Sequence, residues 1–267
     1  MHPLSNLAVR DIETVAHPYT NLALLRETGP LILERGQGVF VYDTEGKAYI
    51  EGMAGLWCTA LGYGNEELVE AATAQMRKLP FGHLFTAKSH DPAIELAERL
   101  KEIAPVPTSK VFFCSSGSEA NDTQVKLVWY MNNARGRPRK KKIISRFKAY
   151  HGVTVASASL TGLPNNHIDF DLPIPGILHT ACPHYYRFAH AGESEEDFAR
   201  RMAGELEALI RKQDPDTVAA FIAEPVMGAG GVIVPPKTYF QEIMKVCQAY
   251  DIYMISDEVI CGFGRLG

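Results

Sequence analysis

Short apolar runs alternate with amphipathic segments along most of the chain, and this alternation limits the possible folds more than any other feature. Buried strands are predicted at residues 110–114, 142–146, 153–159, 177–180, 218–224 and 252–257. Helices are predicted at about residues 65–78, 118–132, 194–212 and 236–249, with one more opening at residues 89–92. Strands interleaved with helices favour a mostly parallel sheet covered on both faces. The sequence therefore predicts an α/β fold.

The N-terminal part follows a different pattern. Apolar and polar residues alternate from residue 31 to residue 51 around two turn signals, at residues 35–38 and 43–46. Alternation of this kind, interrupted by glycine-containing turns, is typical of antiparallel strands. We expect a small antiparallel meander in front of the parallel sheet.

Charge and composition exclude several classes of protein. Of the 267 residues, 27 are Lys or Arg and 31 are Asp or Glu, which gives a net charge of −4. This balance argues against a nucleic-acid-binding protein and against a disordered tail. The basic run at residues 135–142 contains glycine and proline but no aromatic residue, so we interpret it as a solvated connecting loop.

Cysteine usage and the N-terminus bear on location. The five cysteines form no CxxC pair and no dense disulfide framework, which favours a reducing cytoplasm. The N-terminus lacks a basic region followed by an apolar stretch, and no apolar run is long enough to span a bilayer. We expect a cytoplasmic protein without a membrane partner.

The strongest chemical signal is the apolar run 111–114, followed by small residues and then a helix. Ser116 and Ser118 offer hydroxyl groups, and Gly117 allows a ligand to approach the backbone. A helix start adds free amide hydrogens and a positive dipole end, so the segment could bind phosphate. The alternative is that the serines only cap the helix.

Three further signals follow predicted strands, where ligands of parallel sheets gather. Asp257 ends an apolar run, and a buried acid at that place needs a positive partner such as a cationic cofactor nitrogen. Tyr150 and His151 could stack on and orient a planar ligand. Glu224 ends another apolar run before a glycine-rich loop. It could be a functional carboxylate or an anchor for the loop.

Two competing motifs carry less weight. Residues 262–267 match GxGxxG, but four residues separate them from the preceding strand, so they give little support to a nicotinamide-binding oxidoreductase. Cys182, His184 and His190 lack the spacing of a zinc site, and we expect no metal.

Four segments together resemble, in order and spacing, the class III (omega) aminotransferases, which are pyridoxal 5'-phosphate enzymes of fold type I. These segments are residues 116–122, 150–152, 224–231 and 257–265. The resemblance runs from about residue 18 to residue 267. It implies an incomplete fold type I chain, with residues 1–60 in the small domain and residues 61–267 in the cofactor-binding large domain. It also implies a homodimer that moves an amino group from a primary amine or ω-amino acid to a keto acid such as pyruvate.

The resemblance also implies roles for individual residues. Gly117 and Ser118 would hold the cofactor phosphate, with Ser116 beside them. The ring would lie between Tyr150 and Val259, with His151 and Glu224 nearby, and Asp257 would pair with its protonated nitrogen. Trp57 and Phe85 would line the substrate pocket, Phe85 reaching into the partner's site across the dimer interface. These residues are Ser116, Gly117, Ser118, Tyr150, His151, Glu224, Asp257 and Val259 for the cofactor, and Trp57 and Phe85 for the substrate.

The family's Schiff-base lysine would follow Asp257 by roughly thirty residues. Lys245 is the last of the thirteen lysines, so we expect an N-terminal fragment that holds no catalytic lysine and is inactive by itself. The alternatives are an aminomutase or decarboxylase on the same scaffold, because one cofactor supports several fates of a substrate, and a non-catalytic protein that keeps the scaffold.

Overall fold

The computed structural model describes residues 4–266. Contacts between Cα atoms divide the chain into two units, the first ending at Lys110 and the second beginning at Val111. The expected assignment of residues 1–60 and 61–267 to a small and a large domain stays a prediction. Within residues 4–266, no helix has the length and apolar character needed to cross a membrane.

The first unit contains the predicted meander. Its elements are α1 (Asn6–Thr14), α2 (Leu22–Thr28), β1 (Leu33–Gln37), β2 (Phe40–Asp43), β3 (Ala48–Ile50), α3 (Ala54–Trp57), α4 (Glu66–Lys78) and α5 (Asp91–Ile103). The three strands pair antiparallel in the order β1-β2-β3, as expected. Gln37 pairs with Phe40, so a two-residue turn joins β1 to β2, and Gly38 in that turn has φ +57°. A positive φ of this kind is available to glycine at little cost.

The first unit buries few apolar side chains. Among its described residues, Ala8 and Val41 are the buried hydrophobic ones. The helices α2, α4 and α5 contain no buried residue. Leu68 on α4 and Ile103 on α5 are 54% and 64% exposed. Large exposed apolar patches are typical of interaction faces.

The second unit is built on a parallel sheet. Its elements are α6 (Gly117–Ala134), β4 (Lys142–Arg146), α7 (Val155–Leu160), β5 (Ile177–Thr180), α8 (Tyr185–Phe188), α9 (Glu195–Lys212), β6 (Val218–Ala223), α10 (Tyr239–Ala249) and β7 (Tyr253–Ser256). The strand order is β5-β4-β6-β7, and every pairing is parallel. The predicted α/β fold is confirmed.

Helices cover both faces of this sheet. Side chains alternate between the faces along a strand, so the neighbours Ile143 and Ile144 on β4 enter different cores. The core that contains Ile144 is built with α9 and α10, and its largest buried members include Phe198, Leu206, Phe221 and Ile243. The core that contains Ile143 is built with α6 and α7, and includes Val125, Val128, Leu160 and Ile222.

Two predicted strands are absent from the described residues. Residues 153–159 were expected to be extended, but residues 155–160 form α7, because hydrogen bonds with Asp122 and Ser157 fix a helix start. The backbone N–H of Ser157 donates to Asp122 Oδ1 at 3.0 Å, and that of Thr154 donates to Ser157 Oγ at 3.1 Å. Residues 110–114 are irregular, since no strand within residues 4–266 pairs with them, and Phe112 is 67% exposed.

Residues 135–141 of the basic run form the loop between α6 and β4, and Lys142 begins β4. The lysines of the run are bound to protein rather than solvated as expected. Lys140 is buried, and its Nζ donates to the carbonyl oxygen of Tyr250 at the end of α10 at 2.8 Å. Lys142 Nζ donates to the carbonyl oxygen of Gln213 at the end of α9 at 2.8 Å. A cation at the negative end of a helix dipole is stabilising. The run therefore anchors helix ends.

We expect Lys140→Met to lower the free energy of unfolding by about 1.5 kcal/mol, because it removes a charged hydrogen bond at a helix end but keeps the side-chain volume. The matched variant Arg139→Met breaks a pair with Asp214 in which both side chains are at least half exposed, and should cost less than about 0.5 kcal/mol. Urea unfolding measures both. Equal losses would show that the buried contact contributes no more than the surface pair.

Candidate active site

The helix α6 begins beside the predicted anion-binding residues, and its two serines do different things. Ser116 is the N-cap, and its Oγ accepts from the backbone N–H of Glu119 at 3.1 Å. Ser118 Oγ instead accepts from the backbone N–H of Val153 at 3.0 Å. A hydroxyl that accepts in this way keeps its own proton to donate. The capping interpretation holds for Ser116, whereas Ser118 does not cap α6, and the phosphate contact expected of Ser118 stays a prediction.

Glycines at two positions allow close packing around this helix start. A Cβ on Gly117 would lie 2.8 Å from Val259 Cγ2. A Cβ on Gly152, where φ is +133°, would lie 2.4 Å from Ser118 Oγ. Both distances are shorter than van der Waals contact, so any side chain there would displace Val259 or Ser118. The structure thus brings Gly117, Ser118 and Val259 together.

Asp257 is the centre of a buried hydrogen-bond network. Its side chain is 5% exposed and follows β7. Asp257 Oδ2 accepts from His151 Nδ1 at 2.8 Å and from Asn121 Nδ2 at 2.9 Å. Asp257 Oδ1 accepts from the backbone N–H of Val259 at 3.2 Å. Donors from three separate segments therefore hold one carboxylate.

These donors decide the ionisation of Asp257. Burial by itself would raise the pKa of the carboxyl group, but the hydrogen bond and charge of His151, the amide of Asn121 and the N–H of Val259 act together in the opposite direction. The net result is a pKa below the ordinary value of 3.8. Asp257 is therefore an anion at neutral pH, as a partner for a cationic ring must be.

Glu224 follows β6 and faces backbone donors. Its Oε1 accepts from the N–H of Tyr150 at 3.1 Å, and its Oε2 accepts from the N–H of Gly228 at 3.0 Å. Its backbone carbonyl accepts from Arg146 Nη2 at 2.7 Å. Burial raises the pKa of Glu224. Of the two interpretations of Glu224, these contacts favour a loop anchor, which fixes the backbone at Tyr150.

The sheet topology places these residues at the carboxyl ends of the parallel strands. β5 and β6 lie on opposite sides of β4, so the chain changes direction there. In open α/β sheets, ligands bind outside the carboxyl ends of the strands at such a switch point. Tyr150 and His151 follow β4, and Glu224 follows β6. The ring stacking expected of Tyr150 stays a prediction.

The two expected substrate-pocket residues lie in the first unit, next to unusual backbone. Trp57 ends α3, a turn in which all four residues have positive φ, between 48° and 67°. Left-handed backbone costs roughly 1–2 kcal/mol per non-glycine residue. Glu51 supports the turn by accepting from the N–H of Gly55 at 2.9 Å. Phe85 is 77% exposed and precedes Thr86, whose φ is 55°. Strain of this kind is typical of functional sites.

Sequence reasoning missed Asn121, although a signal was present. The buried residues of α6 are Asn121, Val125, Val128 and Asn132, spaced as one helix face. An amide on an otherwise apolar face needs a buried hydrogen-bond partner. For Asn121 these partners are Asp257 and the carbonyl oxygen of His151, the latter at 2.7 Å. The sequence could flag this position but not name its partners.

The competing motifs find no support in the geometry. Within residues 4–266, no group of three or more His, Cys, Asp or Glu side chains could hold a metal ion. Cys182 contacts the sulfur of Met227 instead, at 3.9 Å. The GxGxxG segment lies in turns beyond the end of β7, and its last residue, Gly267, is outside the described residues.

Comparisons with known proteins identify the family. The family model for class III aminotransferases matches residues 24–267. The chain belongs to this family. The solved structure of the omega transaminase from Pseudomonas jessenii in complex with PMP is 66% identical to this class III aminotransferase chain, with a TM-score of 0.96, over 98% of this chain and 58% of that one. The expected fold is thereby confirmed.

Curated relatives carry the name of one substrate. A probable gamma-aminobutyrate transaminase 2, mitochondrial, from Oryza sativa subsp. indica is 61% identical over 89% of this class III aminotransferase chain and 48% of the relative. Gamma aminobutyrate transaminase 1, mitochondrial, from Solanum lycopersicum is 57% identical over 94% of this chain and 49% of the relative. The chain spans about half the length of the curated relatives it matches.

The expectation of a cytoplasmic location was wrong. The plant relatives are named mitochondrial or, for the third Solanum lycopersicum transaminase, chloroplastic. All five cysteines of the class III aminotransferase chain are free. Free cysteines do not distinguish one reducing compartment from another.

We expect the stabilising contribution of Asp257 to depend on pH. Because folding lowers its pKa, the contribution is complete above 3.8 and is lost as pH falls through the lower value of the folded state. The difference in unfolding free energy between the unchanged chain and Asp257→Asn should therefore shrink as pH falls below 3.8. Urea unfolding over a pH series measures it. The matched control is Asp216→Asn, which alters an exposed aspartate. A difference for Asp257→Asn that is independent of pH would contradict the lowered pKa of Asp257.

Proposed function

We propose that the protein is an aminotransferase that uses pyridoxal phosphate to move an amino group from a primary amine or ω-amino acid to a keto acid such as pyruvate. The observation that carries the proposal is the buried anion of Asp257, held by His151 and Asn121 at the switch point of a class III aminotransferase fold. The solved relative with PMP bound supports the same choice of cofactor.

The residues at the start of α6 fit the phosphate group. Gly117 and Ser118 begin an 18-residue helix, whose free amide hydrogens and dipole favour an anion. Ser118 adds a hydroxyl donor whose oxygen is fixed by Val153. The absence of a Cβ on Gly117 and Gly152 lets Val259 and Ser118 pack closely against this helix start.

The residues around Asp257 fit the ring. When bound, pyridoxal phosphate supplies an electron sink for the substrate carbon that bears the amino group. The anion of Asp257 favours the protonated ring nitrogen by charge and hydrogen bonding. Val259 is held next to Gly117, where it would contact one ring face, and Tyr150 would cover the other. His151 holds the carboxylate of Asp257 in place.

The substrate side of the proposal rests on the relatives. The curated relatives are named for gamma-aminobutyrate, an ω-amino acid. Variants of the Pseudomonas jessenii enzyme with substituted tryptophan and phenylalanine were engineered for enantiopure bulky amines. Trp57 and Phe85 have the same residue types, and their large rings would limit the size of the amine substituent.

Pyridoxamine phosphate is the appropriate probe, because it binds without a Schiff-base lysine. We expect the protein to bind it, with the affinity reduced about tenfold by Ser118→Ala and more by Asp257→Ala, since each removes a hydrogen bond to a charged group. Ligand fluorescence measures the binding. Ser194→Ala, at the N-cap of α9, is the matched control and should leave the affinity unchanged. Failure of the unchanged chain to bind the probe would refute the cofactor proposal.

We propose further that the protein is a homodimer in which a second copy covers the apolar faces of the first unit. Two observations support this. Ile94 and Ile103 on α5 are exposed at 49% and 64%, although they belong to an amphipathic helix, and Phe85 is 77% exposed. Burial of such side chains is worth roughly 1.5–3 kcal/mol each, which favours association over exposure to water.

Light scattering should give a mass twice the 29.5 kDa of one chain. The double variant Ile94→Glu/Ile103→Glu should be monomeric, because it places charges on the apolar face. The control Glu95→Gln/Glu98→Gln alters two exposed glutamates of the same helix and should stay dimeric. A monomeric mass for the unchanged chain would rule the dimer out.

A further inference from the structure

Asn121 is a contact of Asp257 that the predicted site did not include. It lies on α6, five residues after the N-cap Ser116, and is 5% exposed. Its Nδ2 donates to Asp257 Oδ2 at 2.9 Å and to the carbonyl oxygen of His151 at 2.7 Å. Both partners are acceptors, so the orientation of the amide is fixed by chemistry: the nitrogen must face them.

The two carboxylate oxygens of Asp257 accept different numbers of hydrogen bonds. Oδ2 already accepts two bonds, from His151 and Asn121. In the described part of the chain, Oδ1 accepts one bond, from the N–H of Val259, and this bond is the longest of the three at 3.2 Å. A carboxylate oxygen accepts two hydrogen bonds. The open acceptor position is therefore on Oδ1.

We propose that Asn121 is a positioning residue that fixes the carboxylate of Asp257 so that Oδ1 receives the protonated ring nitrogen of the cofactor. The inference rests on the proposed function and adds an atomic assignment to it. Asn121 does not contact the ring; it acts through Asp257.

The geometry explains why one amide can do this. Asn121 links the backbone of His151 to the same oxygen that the ring of His151 binds, so amide, imidazole and carboxylate form a closed set of contacts. Removal of the amide leaves Oδ2 with His151 alone. The carboxylate, held by His151 and by the long contact with Val259, is then restrained less firmly about its χ2 bond, which has broad minima.

Comparing the binding of two ligands distinguishes a positioning role of Asn121 from a general effect on protein stability. Pyridoxamine phosphate carries the ring nitrogen, and its deaza analogue has carbon there and cannot bond to Asp257. We expect the unchanged protein to bind pyridoxamine phosphate at least tenfold more tightly than the analogue, as a charge-assisted hydrogen bond implies. In Asn121→Leu this preference should fall to about threefold or less, with little change in the affinity for the analogue. The matched control is Asn132→Leu, which alters the other buried asparagine of α6. Asn132 donates a hydrogen bond to the carbonyl oxygen of Val128 within the helix, so this variant should keep the preference for pyridoxamine phosphate.

The outcomes are distinct. An unchanged preference in Asn121→Leu, or equal losses for both ligands, would overturn the role of Asn121 while leaving the proposed function standing. No preference in the unchanged protein would instead overturn the pairing of Asp257 with the ring nitrogen and thus both proposals. Circular dichroism checks folding, and if Asn121→Leu does not fold, Asn121→Ala is measured by the same criteria.

Discussion

The candidate site in the second unit depends on keeping one carboxylate charged where little water reaches it. An isolated buried carboxylate would become neutral or would destabilise the fold by several kcal/mol. Asp257 avoids this because α6, the segment after β4 and its own following turn each supply a donor. These donors are far apart in sequence, so the network also ties the helix and the strand ends together. A ligand cation then meets an anion that is already oriented, which lowers the reorganisation needed on binding.

At the opposite end of the second unit, the charged groups are cations and their partners are backbone carbonyl oxygens. Lys140 and Lys142 bind carbonyl oxygens at the C-terminal ends of α10 and α9. The N-terminal end of α6, in contrast, is left with amide donors for an anion. Helix dipoles thus stabilise the lysine contacts at one end of the sheet and, in the proposed function, favour a bound anion at the other. The cations of the basic run are consequently engaged within the protein.

The first unit differs in kind from the second. The second unit has two cores of fully buried side chains, one on each face of its sheet. The first has amphipathic helices whose apolar positions stay exposed. A segment of that size cannot offset its loss of conformational entropy with so little burial. The proposed dimer would add burial on these apolar positions.

The sequence by itself determined the α/β class, the meander, and most element positions. Strand and helix periodicity are local properties, so β4 and β5 were predicted with the bounds that the structure has. The motif spacing also identified the family, and with it predicted that Ser118, His151 and Asp257 belong to one site. Local sequence was insufficient where two states compete: residues 155–160 have the composition of a strand but become α7, because Asp122 on a different helix caps them.

Tertiary structure alone decided which side chains touch. Asn121 and Asp257 are 136 residues apart, and only the folded sheet brings the amide to Oδ2. The same holds for Ser118 and Val153, whose contact distinguishes Ser118 from the capping Ser116. Periodicity and motifs report the local preferences of a segment, whereas the hydrogen bonds of a buried charge depend on every element that packs around it.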